Sequence, residues 1–327
     1  MPFCDIVGHE RVKEILVRSV KNARVSHAYL FVGPEGVGKR HTALAFAKAL
    51  NCAQREGDYC DACSVCRKIG RFCHPDVLLV EPEGSSLKIE QIREYQRDVS
   101  LKAWEGRYKI LILDGTDKLT PEAANSLLKT LEEPPPATVI ILISVNPFSL
   151  FPTLLSRCQL IRFGPLKKVE TAKILKEGQL LDESQARLLV SLCGGKVGQA
   201  LALDLDHVLS MREQVWELLK PDEGSSVDFL IRRARELSKD KEELDFLLSL
   251  LSSLSRDIVV LASGSDLSFL MNEDIGAKLY GLAKSLSPTQ ALKVWETIEQ
   301  AREFLRQNVN GQLVLESMLV DIYRLLR

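Results

Sequence analysis

The chain has 327 residues, of which 46% are hydrophobic and 27% are charged, so it is long enough to form more than one domain with an apolar core. Its 43 Lys and Arg residues balance 44 Asp and Glu residues to a formal net charge of -1, which argues against a strongly basic nucleic-acid-binding protein. No run approaches the roughly 20 apolar residues that span a bilayer, and the start lacks a signal-peptide pattern, so we expect a cytoplasmic protein without membrane contact.

The first half of the sequence predicts strands that alternate with helices. Short apolar runs rich in β-branched residues recur between helical patterns, at 29–32, 77–80, 108–113, 139–144 and 159–163. Alternation of this kind predicts a mostly parallel sheet with helices on both faces. We therefore expect an α/β nucleotide-binding-like domain over residues 1–165.

The first predicted strand leads into a glycine-rich loop, GPEGVGKR at residues 33–40, and an Ala-rich helical run follows it. In such loops the backbone N–H groups and the lysine hold phosphates, and the next residue, Ser or Thr, binds Mg²⁺. The residues that match this pattern are Gly33, Gly36, Gly38 and Lys39. Arg40 stands where the hydroxyl belongs and cannot bind a cation. The loop predicts a nucleotide-binding fold with a weakened Mg²⁺ site, and it leaves open whether ATP is bound.

Four cysteines follow the loop helix with the spacing C-x7-C-x2-C-x2-C: Cys52, Cys60, Cys63 and Cys66. Four thiolates in a short polar insertion can form a tetrahedral zinc site that holds the insertion together. An iron–sulfur cluster that also uses Cys73 is the rival interpretation, although His74 rather than Pro follows that residue. Unligated core thiols are a third interpretation. We favour zinc.

The predicted strand at 108–113 ends in Asp114, followed by Gly115. ATPases with a glycine-rich phosphate loop carry an acidic pair at this point, of which the first member holds Mg²⁺ and the second orients water. Asp114 fits the first role, whereas Gly115 cannot perform the second. The alternative interpretation is that Asp114 only caps the strand in a surface turn.

Beyond residue 165 the pattern is helical throughout. Apolar residues at three- and four-residue spacing predict a small helical domain over 166–207 and a larger all-helical region over 208–327, with the polar segment 219–226 as a linker. The last helix, 311–326, carries one apolar face, which we interpret as core rather than as a surface between subunits. That face consists of Leu315, Met318, Leu319, Ile322 and Leu326.

Three segments in this order resemble the signatures of AAA+ clamp-loader subunits. They are SHAYLF at 26–31, NSLLKTLEEPP at 125–135 and SRC at 156–158. The resemblance extends from residue 1 to about residue 205 and, more loosely, to the helical end. It implies an AAA+ domain, a helical lid and a C-terminal helical collar for oligomerisation, and it adds support for a zinc module at 52–66.

The departures from the family pattern resemble the delta-prime class of subunit rather than the ATP-hydrolysing tau/gamma class. In active relatives the lid carries a second sensor arginine, and Gly198 stands at the corresponding place here. Together with Arg40 and Gly115, this makes three catalytic contributions that are missing. Because positioning and charge stabilisation supply nearly all the catalysis of phosphoryl transfer, we do not expect this chain to hydrolyse ATP.

Arg157, in the SRC segment, is retained. A single arginine is usually a solvated surface residue, but the resemblance implies an arginine finger that acts in trans on a nucleotide bound by a neighbouring tau/gamma subunit. The resemblance further implies a hetero-pentameric ring with tau/gamma and delta subunits, which uses ATP to place the beta sliding clamp on primer-template DNA. Two alternatives stay open, namely an active ATP-hydrolysing clamp-loader subunit and a zinc-dependent nucleic-acid-binding module.

Overall fold

The computed structural model describes residues 2–55, 57–84, 86–100, 103–147, 150–178, 181–219, 227–307 and 309–326. The strands are β1 (Ala28–Val32), β2 (Val77–Val80), β3 (Lys109–Asp114), β4 (Thr138–Ser144) and β5 (Gln159–Arg162). The helices of the first half are α1 (Pro2–Asp5), α2 (Glu10–Lys21), α3 (Lys39–Asn51), α4 (Ser64–Gly70), α5 (Ile89–Ser100), α6 (Pro121–Glu132) and α7 (Pro152–Leu155). Those that follow are α8 (Lys168–Gly178), α9 (Glu183–Cys193), α10 (Val197–Ala202), α11 (Leu205–Leu219), α12 (Val227–Leu237), α13 (Lys241–Ala262), α14 (Gly276–Ala283), α15 (Pro288–Arg306) and α16 (Gly311–Leu326).

The five strands form one parallel sheet in the order β2-β3-β4-β1-β5. Its register places Leu30 opposite Leu142 on one side and opposite Leu160 on the other. The five predicted strands are confirmed to within one residue at each end. They were recognisable because strands buried on both faces read as continuous apolar runs.

Side chains that alternate along the strands enter two separate cores, one on each face of the sheet. One core joins the sheet to α2 and α3 and includes Leu16, Tyr29, Phe31, Phe46, Ile112 and Ile141. The other joins the sheet to α5 and α6 and includes Leu30, Ile92, Leu111, Leu113, Leu127 and Leu142. The predicted arrangement of helices on both faces is therefore confirmed.

The chain divides into two compact units, one comprising 1–174 with 195–199 and the other 175–194 with 200–327. The second unit is helical throughout its described residues, and its core is formed mainly by α11 to α16. The interpretation of the α16 face as core is confirmed, because Leu315, Met318, Leu319 and Ile322 are buried there and Leu326 packs against them half-buried.

The predicted division into three parts, at 165/166 and 207/208, stays a prediction. Of the predicted linker at 219–226, only Leu219 belongs to the described residues, as the last residue of α11. None of the described helices is long and apolar enough to cross a lipid bilayer.

Candidate functional site

The phosphate-loop sequence lies where β1 ends and α3 begins. The loop packs tightly against the segment that follows β5, because a Cβ atom on Gly33 would lie 2.2 Å from the carbonyl oxygen of Phe163. No other residue fits at this position. Gly33 N–H also donates to the carbonyl of Ser144 at the end of β4 (3.3 Å), and Gly38 immediately precedes α3. The sequence thus produces the strand–loop–helix geometry that a phosphate-binding loop requires.

The lysine of the loop is bonded to the loop itself. The Lys39 ammonium is buried and donates to the carbonyl oxygens of Gly33 (2.6 Å) and Pro34 (2.7 Å). Burial lowers the pKa of Lys39, and the nearby carboxylate of Asp114 opposes that shift. A phosphate entering the loop would therefore compete with two backbone acceptors for this cation.

The backbone of α10 closes against the loop. Gly198 N–H donates to the carbonyl oxygen of Gly36 at 2.8 Å. A Cβ atom on Gly198 would lie 3.0 Å from Gly36 Cα and 3.3 Å from Gly36 O, which is closer than most Cβ contacts. A sensor arginine at position 198 would thus have to displace the loop backbone. Gly198, which the family resemblance places where a sensor arginine is expected, makes a close backbone contact with Gly36.

The position that normally carries the Mg²⁺ hydroxyl forms a different interaction. The Arg40 guanidinium pairs with the carboxylate of Glu81, directly after β2, and lies 5.6 Å from the centre of the Phe72 ring. The nearest downstream hydroxyl does not replace the missing one, because Thr42 Oγ1 donates to the carbonyl of Gly38 (2.9 Å) within α3. Arg40 therefore supplies a positive charge near the loop where a metal ligand is expected.

Asp114 is the last residue of β3 and lies close to the positive charges of Arg40 and Lys39. It is half-buried; burial raises its pKa, while the positive charges of Arg40 and Lys39 oppose the shift. The following residue, Gly115, has no side chain that could orient a water molecule. The geometry thus retains one acidic group beside the loop.

Arg157 lies between α7 and β5 with its guanidinium held from two sides. One terminal nitrogen donates to the carbonyl of Thr153 (2.9 Å), and the other pairs with Oε1 of Glu132 (2.7 Å). About a third of the Arg157 side chain, 34%, stays exposed. Because Glu132 ends α6, this pair joins the 125–135 and 156–158 segments that share the family resemblance. The sequence did not predict that Glu132 pairs with Arg157, although the position of Glu132 within the 125–135 segment could have indicated a functional role.

A second residue that the motifs did not indicate contacts the phosphate loop. His9, immediately before α2, has Nε2 at 2.8 Å from the carbonyl oxygen of Val37, and its ring packs 4.9 Å from that of Phe163. A carbonyl only accepts, so Nε2 carries the hydrogen. Burial lowers the pKa of His9, which favours the neutral ring. No sequence pattern distinguishes this histidine from a surface one.

The four cysteines of the predicted metal site come together. Their Sγ atoms all lie within 4.8 Å of one another, although Cys52 directly follows α3 and Cys66 lies inside α4. Two backbone N–H groups point at the sulfurs, from Cys63 to Cys60 Sγ (3.3 Å) and from Cys66 to Cys63 Sγ (3.4 Å). A tetrahedral ion with bonds of about 2.3 Å needs sulfurs about 3.8 Å apart. The cluster can therefore hold a single metal ion after a small contraction.

Cys73 is not part of this cluster. It is exposed, and its thiol donates to the carbonyl of Lys68 at 3.5 Å. The structure thus selects Cys52, rather than Cys73, as the companion of the C-x2-C-x2-C segment.

Comparisons with known proteins agree with this geometry. A family model described as "DNA polymerase III, delta subunit" matches residues 8–167, and one described as "DNA polymerase III, delta subunit, C terminal" matches residues 207–324. The DNA polymerase III subunit delta' of Bacillus subtilis is 32% identical over 95% of this chain and 94% of its own length. The subunit tau of the same organism is 34% identical over 64% of this chain, which spans only 38% of tau.

Among solved structures, a DNA polymerase III gamma subunit-related protein from Thermotoga maritima aligns with 97% of this chain and 99% of its own, at 17% identity and a TM-score of 0.47. The two family models together match most of the chain, and the delta' relative is matched along nearly its whole length. The chain belongs to the DNA polymerase III delta subunit family.

Proposed function

We propose that this chain is a delta-prime-type subunit of the DNA polymerase III clamp loader that does not hydrolyse ATP itself. Family membership supports the clamp-loader role, and the altered phosphate loop supports the lack of hydrolysis. Arg40 pairs with Glu81 instead of offering a hydroxyl, Gly115 lacks the water-orienting carboxylate, and Gly198 meets the loop backbone. Each change removes a contribution on which phosphoryl transfer depends.

The observation that carries this proposal is that the phosphate loop has altered residues at positions needed for hydrolysis, whereas Arg157 is present and held in place. The Arg157 guanidinium is held by the Thr153 carbonyl and by Glu132, yet keeps an exposed fraction through which a neighbouring molecule can reach it. A guanidinium group is planar and permanently charged, so when it is held in a fixed position it can stabilise the negative charge of phosphates bound by an adjacent subunit. We propose that this neighbour is tau/gamma, in a cytoplasmic ring with delta that loads the beta clamp onto primer-template DNA.

The test is to reconstitute the loader with Arg157→Ala and to measure DNA-stimulated ATP hydrolysis and clamp loading. Since an arginine finger contributes about 10³–10⁵ at its own site, we expect loading to fall at least about tenfold. Arg162→Ala is the matched control, because Arg162 is exposed on β5 a few residues away. Unchanged hydrolysis and loading in the Arg157 variant would remove the finger role.

We further propose that Cys52, Cys60, Cys63 and Cys66 hold a structural zinc ion. Four thiolates without an open position are typical of structural rather than catalytic zinc. The ion would fix the segment between α3 and α4. Cys52, Tyr59 and Cys63 of this segment, together with Cys66 in α4, also belong to the buried core on the α3 face of the sheet. The exposure of Cys73 away from the cluster supports zinc over the iron–sulfur alternative.

A further inference from the structure

An exposed surface with two aromatic rings lies beside the cysteine module, and neither the finger nor the metal site uses it. We call it the aromatic–arginine surface and define it by Arg67, Arg71, Phe72, Trp104 and Arg107. The Trp104 side chain is 85% exposed and that of Phe72 is 57% exposed. Single exposed apolar side chains are common on protein surfaces, so the two rings gain significance only from the positive charges on the same helix and turn.

A buried carboxylate anchors the turn that presents Trp104. Asp76 is fully buried, and its two oxygens accept the backbone N–H groups of Trp104 (2.7 Å), Glu105 (2.7 Å) and Gly106 (2.8 Å). Three such bonds fix the backbone of consecutive residues while the indole points away from the core. Trp104 is thus exposed on an ordered turn.

The surface combines α4 with this turn, because Lys68 Nζ pairs with Glu105 Oε2 at 2.6 Å. Arg67 lies in α4, Arg71 lies one helical turn further on and directly follows α4, and Phe72 is the next residue. Arg107 is exposed in the anchored turn itself.

The charge of this surface is positive. Glu105 is already neutralised by Lys68, and within the described residues none of the three arginines of the surface forms an ion pair with a carboxylate. The near-zero net charge of the chain therefore conceals three arginines that have no carboxylate partner among the described residues and that lie on the same helix end and turn as two exposed rings.

We propose that the aromatic–arginine surface binds single-stranded DNA. A base needs only an exposed ring face to stack on, and guanidinium forks fit the phosphates on either side. An acidic peptide would satisfy the arginines, but its side chains would need an apolar depression, whereas this surface offers projecting rings. The inference does not depend on the finger role of Arg157.

The test uses the purified full-length chain and a fluorescein-labelled twelve-residue oligothymidine, with binding followed by anisotropy at low and moderate salt. We expect Trp104→Ala to weaken binding roughly 5- to 100-fold, which corresponds to the loss of stacking on one base. The double variant Arg71→Ala/Arg107→Ala should reduce the slope of log K against log salt by about 1.4, since each phosphate contact with a single strand contributes about 0.7. The chain has three tryptophans, and Trp216 and Trp295 are half-buried, so oligonucleotide binding should quench mainly Trp104 emission.

Phe269→Ala and Arg235→Ala are the matched controls, since both residues are exposed in the helical unit, and both should bind like the parent chain. Equal binding by the Trp104 variant and the Phe269 control would overturn the proposal, as would no binding of the oligonucleotide at all. A peptide of alternating Asp and Phe that binds in a Trp104-dependent way, while the oligonucleotide does not, would also overturn it and identify a protein-binding surface.

Discussion

The carboxylate of Asp76 shows how one residue determines local structure around the sheet. Burial alone would raise the pKa of Asp76, but the three backbone hydrogen bonds more than offset burial, so that the pKa is lowered. The ionised form is therefore the one that the fold stabilises. Its free-energy contribution is fully present above the pKa of an unfolded aspartate, about 3.9, and is lost as the pH falls through the lower pKa of the folded state.

We expect Asp76→Asn to lower the free energy of unfolding by at least about 2 kcal/mol at neutral pH, because an amide cannot accept all three N–H groups. Urea unfolding measured at neutral pH and at successively lower pH checks this, and the gap between the two proteins should narrow only below about pH 4. Glu94→Gln, at an exposed position on α5, is the control and should change stability by less than about 0.5 kcal/mol. A pH-independent gap would contradict the role of the ionised carboxylate.

At the scale of single residues, the sequence indicated which positions depart from the pattern of an ATP-hydrolysing protein, but not which side chains form ion pairs with each other. Arg40, Gly115 and Gly198 were identified from the motifs alone. The pairs Arg40–Glu81 and Arg157–Glu132 each join residues far apart in the sequence, so only the tertiary fold shows them. Motif spacing carries information about local chemistry, whereas long-range ion pairs depend on packing that no local pattern encodes.

Among the elements, the segment between α3 and α4 depends most on its proposed ion. It brings Cys52, at the end of one helix, to Cys63 and Cys66, at the start of the next. Because binding of a structural metal contributes directly to folding free energy, its removal should destabilise this part of the chain.

We expect purified protein to contain about one zinc ion per chain and Cys63→Ser to lose it, since three thiolates leave the tetrahedral site open. Metal analysis and thermal unfolding with and without a chelator provide the measurement. Cys73→Ser is the control that should keep its zinc and its stability, because that thiol lies outside the cluster. Iron with a visible absorption spectrum, or metal loss in the Cys73 variant, would favour an iron–sulfur cluster instead of zinc.

The bounds of the strands could be predicted closely from the sequence, whereas the end of α10 could not. Buried parallel strands have a strong apolar signal, whereas the helical pattern after residue 165 does not show where α10 ends, at Ala202, with Leu203 N–H donating back to the carbonyl of Ala200. The contact of α10 with the phosphate loop could not be foreseen, because it is made by backbone atoms.

Considered as a whole, the molecule combines a parallel five-stranded sheet with a phosphate loop that, in our proposal, no longer supports hydrolysis. The sheet order, the strand–loop–helix geometry and Asp114 are present, while Arg40, Gly115 and Gly198 stand where we propose that the metal hydroxyl, the water-orienting acid and a sensor arginine are lost. Fold and family followed from the sequence because three motifs occur in a fixed order.

We expect the isolated chain to release no phosphate from Mg²⁺-ATP above the buffer rate, and Arg40→Thr not to restore activity, because two other contributions are still missing. Phosphate release measured over hours, with an active tau/gamma subunit as positive control, tests this. Clear turnover that Lys39→Ala abolishes would contradict the proposal and identify an active ATPase.

The pairing of Arg157 with Glu132 has a consequence for any anion that approaches from another molecule. In the chain alone, the Arg157 guanidinium is held by the Glu132 carboxylate and the Thr153 carbonyl, so it has a defined position before any partner binds. An anion from another molecule has to displace the carboxylate of Glu132 from Arg157, which favours anions with more than one negative charge. We therefore expect the guanidinium to respond to the charge of an approaching group: an anion with one charge competes poorly with Glu132, whereas a group with several charges can displace that carboxylate.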